Sequence, residues 1–381
     1  MNQSTIFDLK FEEQLISILK DINPKNILIV TGKKSFDKSV IKDRFMSILS
    51  EYNIFRFSDF RSNTNIDDVK EGVKVTLTLM PDLIIAIGGG SVIDMAKQIN
   101  IFAKHKNILK IVTNDQNVLG DKLCPLVAIP TTAGTGSEIT HFAVLYINNK
   151  KYSVAHKNMV PDYSIIDSTL SHTMSVELQA TCGFDALSQA IESYWSIQST
   201  DESKQYASDA IDLILKNFKD SIDGNDHAKS NMSKAAYLSG KAINISKTTA
   251  AHAVSYPLTI HYKISHGHAV ALTLGYFFEI NSQYEHDLII DPRGHQYIQK
   301  IMSDLYKLFN KDNAEECKRF WYKFMDIIGL ETNPAKLGIF DLNDIDKILD
   351  DVDPVRIANN PIRISKDNIK QIFLNLIDMN K

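Results

Sequence analysis

Near residue 170 the sequence changes its period, and this change constrains the fold more than any other feature. Before it, short apolar runs alternate with amphipathic stretches. "NILIVTG" (26–32), "IFRFSDF" (54–60), "PDLIIAIGGGS" (81–91) and "PLVAIPTTAGTGS" (125–137) read as strands with their exits. "KSVIKDRFMSILSEY" (38–52), "IDDVKEGVKVTLTLM" (66–80) and "VIDMAKQINIFAKH" read as helices. This βαβαβ alternation predicts a parallel sheet covered by helices. "AVLYINNKKYSVAH" (143–156) reads as a hairpin turning at Asn148 and Asn149. After about residue 171 strand signals fade. Helical patterns then cover 175–197, 202–220, 228–245, 249–261, 266–281, 294–309, 313–328 and 366–379. The expected architecture is α/β plus all-α. A Rossmann-like parallel-sheet domain spans 1–170 and a helical bundle domain spans 171–381. "DGNDHAKSN" (223–231) reads as a surface turn, and "DVDPVRIANNPIRISKDN" as an ordered loop before the last helix.

Composition excludes several classes. A chain of 381 residues, 44% hydrophobic, can bury one large or two ordinary cores. A net charge of −4 leaves no footprint for nucleic acid and no basic arm for a membrane. Cys124, Cys182 and Cys317 are odd in number and lack C-x-x-C spacing, so neither a disulfide framework nor a zinc knuckle is expected. "MNQSTIFDLKFEEQL" has no basic segment followed by an apolar one, and no apolar run approaches the roughly 20 residues of a membrane helix. A reduced, cytoplasmic protein fits.

"LIIAIGGGSVIDMAK" joins a strand to a helix through three glycines, Gly88, Gly89 and Gly90. Ser91 is the expected N-cap, with Asp94 three residues later in a capping-box arrangement. Free N–H groups and the positive helix end suit a phosphate or pyrophosphate. "AIPTTAGTGSE" (128–138) adds Thr131, Thr132, Thr135 and Ser137 just past another strand end. Ligands of open α/β sheets bind outside the carboxyl ends of strands. Two such exits therefore point to one dinucleotide site. At a third exit, "IVTGKKSF", Gly32 stands where an acidic residue would bond the ribose of NAD, and Lys33 and Lys34 follow. Room with positive charge suits the 2′-phosphate of NADPH, while a solvated lysine pair is the alternative.

"GFDALSQAIESYW" (183–195) places Asp185 and Gln189 on one face of a helix. "AAHAVSYPLTIHYKISHGHAVALTL" (250–274) holds His252, His261, His266 and His268, a density that predicts at least two ligands or catalytic groups. With "GGGSVIDMAK", "AIPTTAGTGSE", "GFDALSQAIESY" and "HAVSYPL…ISHGHAVAL" in this order, nearly the whole chain resembles the iron-containing alcohol dehydrogenases. The resemblance implies an N-terminal dinucleotide domain using NADH or NADPH, a C-terminal helical domain, and a divalent metal in the cleft between them. Carried over residue by residue, the ligands are Asp185, Gln189, His252 and His266. Gln189 departs from the family's usual His. A carbonyl oxygen is a harder donor than imidazole, so Fe²⁺ and Zn²⁺, as well as Mn²⁺ and Ni²⁺, remain in play. Tyr256 stands where many members carry a further His, so Tyr256, His261 or His268 is the expected proton relay.

Within that family the wording around Gln189 and "SKTTAAHAVSYPL" most resembles the reductases of phosphonoacetaldehyde. An anionic aldehyde needs a cationic pocket, because a buried, unpaired phosphonate is costly. Lys247 and Arg293 are the foremost candidates for it, with Lys241 and Arg363 behind them. An uncharged small aldehyde, a cyclase resembling dehydroquinate synthase, and a degenerate binding protein are the competing expectations. The resemblance also implies a homodimer.

Overall fold

The structure is a computed structural model that describes residues 3–7, 10–148, 150–283, 285 and 287–378. It divides into two compact units, Met1–Thr173 and Met174–Lys381.

The described residues of the first unit form eight strands: β1 (Ser4–Phe7), β2 (Asn26–Thr31), β3 (Asn53–Phe57), β4 (Leu83–Gly88), β5 (Leu126–Pro130), β6 (Phe142–Ile147), β7 (Lys150–Ala155) and β8 (Tyr163–Ile166). Six form a parallel sheet in the order β1-β8-β5-β4-β2-β3, as the alternating pattern predicts. The central strands β2, β4 and β5 are apolar along nearly their whole length because both faces are covered. Leu28, Val30, Ile84, Ala86, Leu126 and Ala128 enter one core. Their immediate neighbours Ile27, Ile29, Ile85, Ile87, Val127 and Ile129 enter the other. From β2 the chain goes to β3 on one side, then crosses to β4 on the other. That reversal creates a switch point at the β2/β4 carboxyl edge, where such sheets bind ligands. The hairpin forms as β6 against β7, with Asn148 at φ 50, while Asn149 lies outside the described residues.

One expected helix is corrected in this unit, and further elements appear that were not expected. Of the helix expected over 38–52 only Lys42–Ile48 forms, and a separate short helix, Lys33–Asp37, precedes it. Strand β1 at the sheet edge and its inner neighbour β8 were not expected, being only four residues each. The helix Phe11–Ile22 was also not foreseen.

The second unit is helical. Val176–Trp195, Asp201–Ile222, Asp226–Ser246, Ala250–Tyr262, His266–Ile280, His295–Leu308, Ala314–Ile328 and Lys366–Asp378 follow the eight predicted spans within a few residues. The expected turn at 223–231 is shorter, because Asn225 caps a helix that starts at Asp226. The segment before the last helix is not a plain loop. Asp341 and Asp353 cap the helices Leu342–Asp351 and Pro354–Ile357. No helix among the described residues is long and apolar enough to cross a membrane.

Candidate metal centre and nucleotide turn

In the first unit three adjacent strands stop level with one another. Thr31 pairs with Ile87 and Gly88 with Pro130, so Gly32, Gly89 and Thr131 are the first residues beyond the edge. A Cβ on Gly90 would stand 2.6 Å from Thr135 Oγ1, and one on Gly89 3.3 Å from Thr132 Cγ2. The glycines let the turn after β4 lie against the threonines after β5. The Thr131 N–H donates to the Gly88 carbonyl at 3.0 Å and joins the two exits.

Ser91 and Asp94 do not cap the following helix. It begins at Gly90, with Gly89 as N-cap and no side-chain capping bond, so Ser91 already lies in its first turn. Asp94 points away from that end. Its carboxylate accepts from Ser137 Oγ (2.5 Å) and from the Val144 N–H (2.9 Å). The Ser137 hydroxyl hydrogen is thus committed to the protein and not to a ligand. Beside it Lys97 is 1% exposed and donates to the carbonyls of Thr140 (2.8 Å) and Phe142 (3.0 Å). Burial pushes the Lys97 amine down to about 8, against the opposing pull of Asp94 and Glu138. Burial likewise pushes the Glu138 carboxyl up to about 7. These internal struts were not read from the sequence.

At the β2 exit a Cβ on Gly32 would stand 2.2 Å from Ser35 Oγ. Lys33 is engaged with Asp59 at 2.7 Å, on the surface. Arg56 donates to Thr31 Oγ1 (2.8 Å), Asp37 (2.6 Å) and the carbonyls of Gly32 and Lys33. The lysine read as available for a 2′-phosphate therefore has an acidic neighbour.

In the second unit, the helix Val176–Trp195 carries Asp185 and, one turn on, Gln189. His252 comes from Ala250–Tyr262, and His266 opens the helix His266–Ile280. Asp185, His252 and His266 offer ligand atoms all within 4.8 Å of one another. Asp185 Oδ1 stands 3.4 Å from His252 Nε2 and 3.8 Å from His266 Nε2. Gly267 permits this approach, since a Cβ there would stand 1.9 Å from the Thr181 carbonyl. Asp185, Gln189 and His252 are buried, whereas the His266 side chain is 33% exposed.

The donor set fits a divalent cation. Gln189 Oε1 and His252 Nε2 are buried without a hydrogen bond among the described residues. Leaving such groups unmade is costly, so an electron-pair acceptor is the partner they suit. Two carboxylates, Asp185 and Glu192, balance a double positive charge. Glu192 is fully buried, seven residues after Asp185 on the same helix. One of its oxygens meets His252 Nδ1. The other accepts from Thr249 Oγ1 (2.8 Å) and from the N–H of Ala251 (2.9 Å). Trp195 Nε1 in turn donates to Thr249 Oγ1 at 2.9 Å. Burial alone would lower the His252 imidazole, but the Glu192 and Asp185 carboxylates outweigh it and push it up to about 9. The pocket thus favours positive charge at Nε2.

Tyr256 is buried and its ring stacks on His266 (5.9 Å between centroids, 13°). Arg356 donates to its Oη at 3.2 Å. Burial raises the Tyr256 phenol and the Arg356 cation partly offsets it. The other expected relays are committed elsewhere. His261 pairs with Asp351 at 2.6 Å, and His268 meets the Glu331 carbonyl at 2.7 Å. Lys247 is exposed in the segment leading to His252. Arg293 is a correction to the expected substrate pocket. Its N–H groups engage Asp291, Ser196, Ser199 and Tyr297, leaving none for a substrate anion. Lys241 donates to Tyr206 Oη at 2.7 Å, and Arg363 is exposed.

The model of the iron-containing alcohol dehydrogenases matches residues 2–168, and that of the Fe-containing alcohol dehydrogenase C-terminal domain matches 179–377. The chain belongs to the iron-containing alcohol dehydrogenase family. It is 27% identical to the NADPH-dependent butanol dehydrogenase of Clostridium saccharobutylicum, over 96% of this chain and 95% of that one. It is 28% identical to the phosphonoacetaldehyde reductase of Streptomyces viridochromogenes, over 81% and 80%. Among solved structures, sulfoacetaldehyde reductase of Bifidobacterium kashiwanohense in complex with NAD⁺ superposes with a TM-score of 0.86 at 25% identity. That match covers 99% of this chain and 97% of that one. The chain spans 35% of the length of aldehyde-alcohol dehydrogenase 2 of Entamoeba histolytica, to which it is 29% identical. As a member of this family it is an NAD(P)-dependent, metal-containing oxidoreductase of alcohols and aldehydes. Glu192, which meets His252, and Arg356, which meets Tyr256, are the residues around the candidate metal centre that sequence reasoning missed. Continuing the Asp185–Gln189 face by one turn would have reached Glu192. Arg356, 100 residues from Tyr256, gives no local signal.

Proposed function

We propose that this enzyme reduces a small aldehyde carrying a negative charge, in the first instance phosphonoacetaldehyde to 2-hydroxyethylphosphonate. The dehydrogenase chemistry rests on the donor set of buried Asp185 and His252 with part-exposed His266, and on Gln189 on the Asp185 helix. The charge of the substrate is supported by Lys247 and Arg356, each on a segment next to the His252 helix. It is also supported by two relatives whose names specify anionic aldehydes.

Asp185, Gln189, His252 and His266 would hold Fe²⁺ or Zn²⁺, which when bound supplies a Lewis acid for the aldehyde oxygen. Glu192 keeps the His252 proton on Nδ1, so that Nε2 presents its lone pair. Tyr256 Oη accepts from Arg356, which turns the phenolic hydrogen away from the guanidinium and leaves it to be given to the product oxygen. In the first unit the backbone of Gly88–Ser91, with Thr131, Thr132 and Thr135, binds the pyrophosphate of the nicotinamide nucleotide, the source of hydride. Ser137 and Asp94 hold that turn in shape from beneath. The same reading expects a cytoplasmic homodimer.

The butanol dehydrogenase relative favours a second reading, a neutral short-chain aldehyde as substrate. An aldehyde panel with NADH and NADPH, on protein reconstituted with Fe²⁺ or Zn²⁺, tests both. Faster turnover of the anionic aldehydes supports the proposal, and faster turnover of butanal supports the alternative. Turnover by metal-free Asp185→Ala protein equal to that of the loaded wild type would sink the metal centre.

A further inference from the structure

Two arginines of the second unit differ in what their guanidinium groups can still offer. Arg293 has every N–H group engaged, including paired bonds to Asp291. Arg356 does not. Its Nη1 donates to Tyr256 Oη at 3.2 Å, and its Nε stands 3.6 Å from Asp353 Oδ2. Its Nη2 makes no hydrogen bond among the described residues, although the side chain is only 23% exposed.

The position of this cation is informative. Its guanidinium carbon lies 4.8 Å from the Tyr256 ring centroid, and that ring stacks on His266. Arg356 and His266, one of the proposed metal ligands, therefore contact the same aromatic ring. The backbone around it is tied to the approach to His252, because Asn359 Nδ2 donates to the carbonyls of Ser246 and Thr248, both at 2.9 Å. Those carbonyls flank Lys247, which holds φ 60 and ψ 179. Such a conformation favours glycine, and a larger residue kept there commonly marks function. Two cations, one half-buried and one exposed, thus belong to the two segments joined by Asn359.

We infer that Arg356 recognises the charged group of the substrate. It does so with an unengaged N–H edge, and Lys247 adds positive charge nearby. A planar guanidinium suits a tetrahedral oxyanion by paired N–H donation. The ligand chemistry is therefore a phosphonate or sulfonate one or two carbons from the aldehyde. This inference rests on the anionic substrate proposed above.

The test measures kcat/KM for phosphonoacetaldehyde, sulfoacetaldehyde and propanal on metal-loaded wild type, Arg356→Gln, Arg356→Lys and Lys247→Gly. The wild type is expected to prefer at least one charged aldehyde to propanal. Arg356→Gln should lower that preference by about 10- to 100-fold, chiefly through KM, which is the worth of a hydrogen bond to a charged group. Arg356→Lys should lose less, because charge is kept and the fork is lost. Lys247→Gly should lower the preference while raising Tm, since glycine adopts the positive φ without strain. The larger of the two charged-substrate ratios identifies phosphonate or sulfonate. An unchanged preference in Arg356→Gln overturns the inference, including the case where both rates fall alike because Arg356 only props Tyr256. A wild type without preference overturns the anionic substrate itself, which is a different result.

Discussion

The nucleotide turn and the metal centre solve opposite problems with polar side chains. Around the turn, Asp94, Ser137 and Lys97 point inward and satisfy one another or the backbone, so the surface left for a ligand is N–H groups and threonine hydroxyls. In the metal centre Gln189 Oε1 and His252 Nε2 stay buried without hydrogen bonds, while Glu192, Thr249 and Trp195 satisfy the far side of His252. A pyrophosphate is bound by donors that the backbone supplies anyway. A cation needs lone pairs that must be kept from every competing donor, and that requires side chains behind the ligands to hold their hydrogens.

Glu192→Gln strikes this difference hardest. The Gln oxygen can still accept from Thr249 and Ala251, so the cap of the His252 helix survives. The amide nitrogen, however, would donate to His252 Nδ1 and move the ring proton to Nε2, the atom that faces Asp185. Loss of such a partner costs about 10- to 100-fold in metal affinity. Competition against a chelator should show that loss, and the metal-induced rise in Tm should shrink by the corresponding free energy, about 1.4–2.7 kcal/mol. Glu192→Asp, which keeps an acceptor at Nδ1, should recover part of it. Wild-type metal affinity in Glu192→Gln would reduce Glu192 to a helix cap.

The sequence made the turn legible because its cause is local. Strand, glycines and helix follow one another, and the βα alternation tells which edge they occupy. The inward roles of Asp94 and Lys97 were not legible, since their partners Ser137, Thr140, Phe142 and Val144 lie on a neighbouring segment about 40 to 50 residues away. The metal centre was legible as a ligand set only through the family's motif order, for Asp185 and His252 are 67 residues apart. Its supports were harder. Glu192 shares a helix face with Asp185 and was within reach of helical periodicity. Arg356 depends on the short helix Pro354–Ile357, read as loop because two prolines and several turn formers hid it. Arg293 was misjudged because a lone arginine reveals nothing of how many acceptors surround it.

A smaller test addresses the struts. The Glu138 carboxyl is raised by burial from 4.5 to about 7. The folded protein then holds a proton that the unfolded chain releases, so the stability from this group is full below pH 4.5 and is lost as pH rises through about 7. Two and a half pKa steps correspond to at most roughly 3 kcal/mol. Glu138→Gln mimics the protonated form. It should leave Tm at pH 5 almost unchanged and raise it at pH 7.5 in nucleotide-free protein. The opposite window belongs to Lys97, whose depressed amine titrates near 8. A wild-type Tm profile in Glu138→Gln between pH 5 and 7.5 would mean that Glu138 is ionised throughout.

The smallest effect is expected where both partners are solvated. Lys33 and Asp59 pair at 2.7 Å with side-chain exposures of 63% and 87%. Exposed pairs contribute about 0–1 kcal/mol. Exchanging Asp59 for a 2′-phosphate therefore costs Lys33 little, and Gly32 leaves the space. Asp59→Ala removes the competitor together with a negative charge that repels the phosphate. KM for NADPH should fall about two- to fivefold with KM for NADH unchanged, within the range of an exposed ion pair. Lys33→Ala should move the NADPH value the other way. Equal shifts for both nucleotides would place the 2′ position elsewhere and leave Lys33 and Asp59 as a surface pair, which would extend to this exit the contrast between inward struts and ligand-facing backbone.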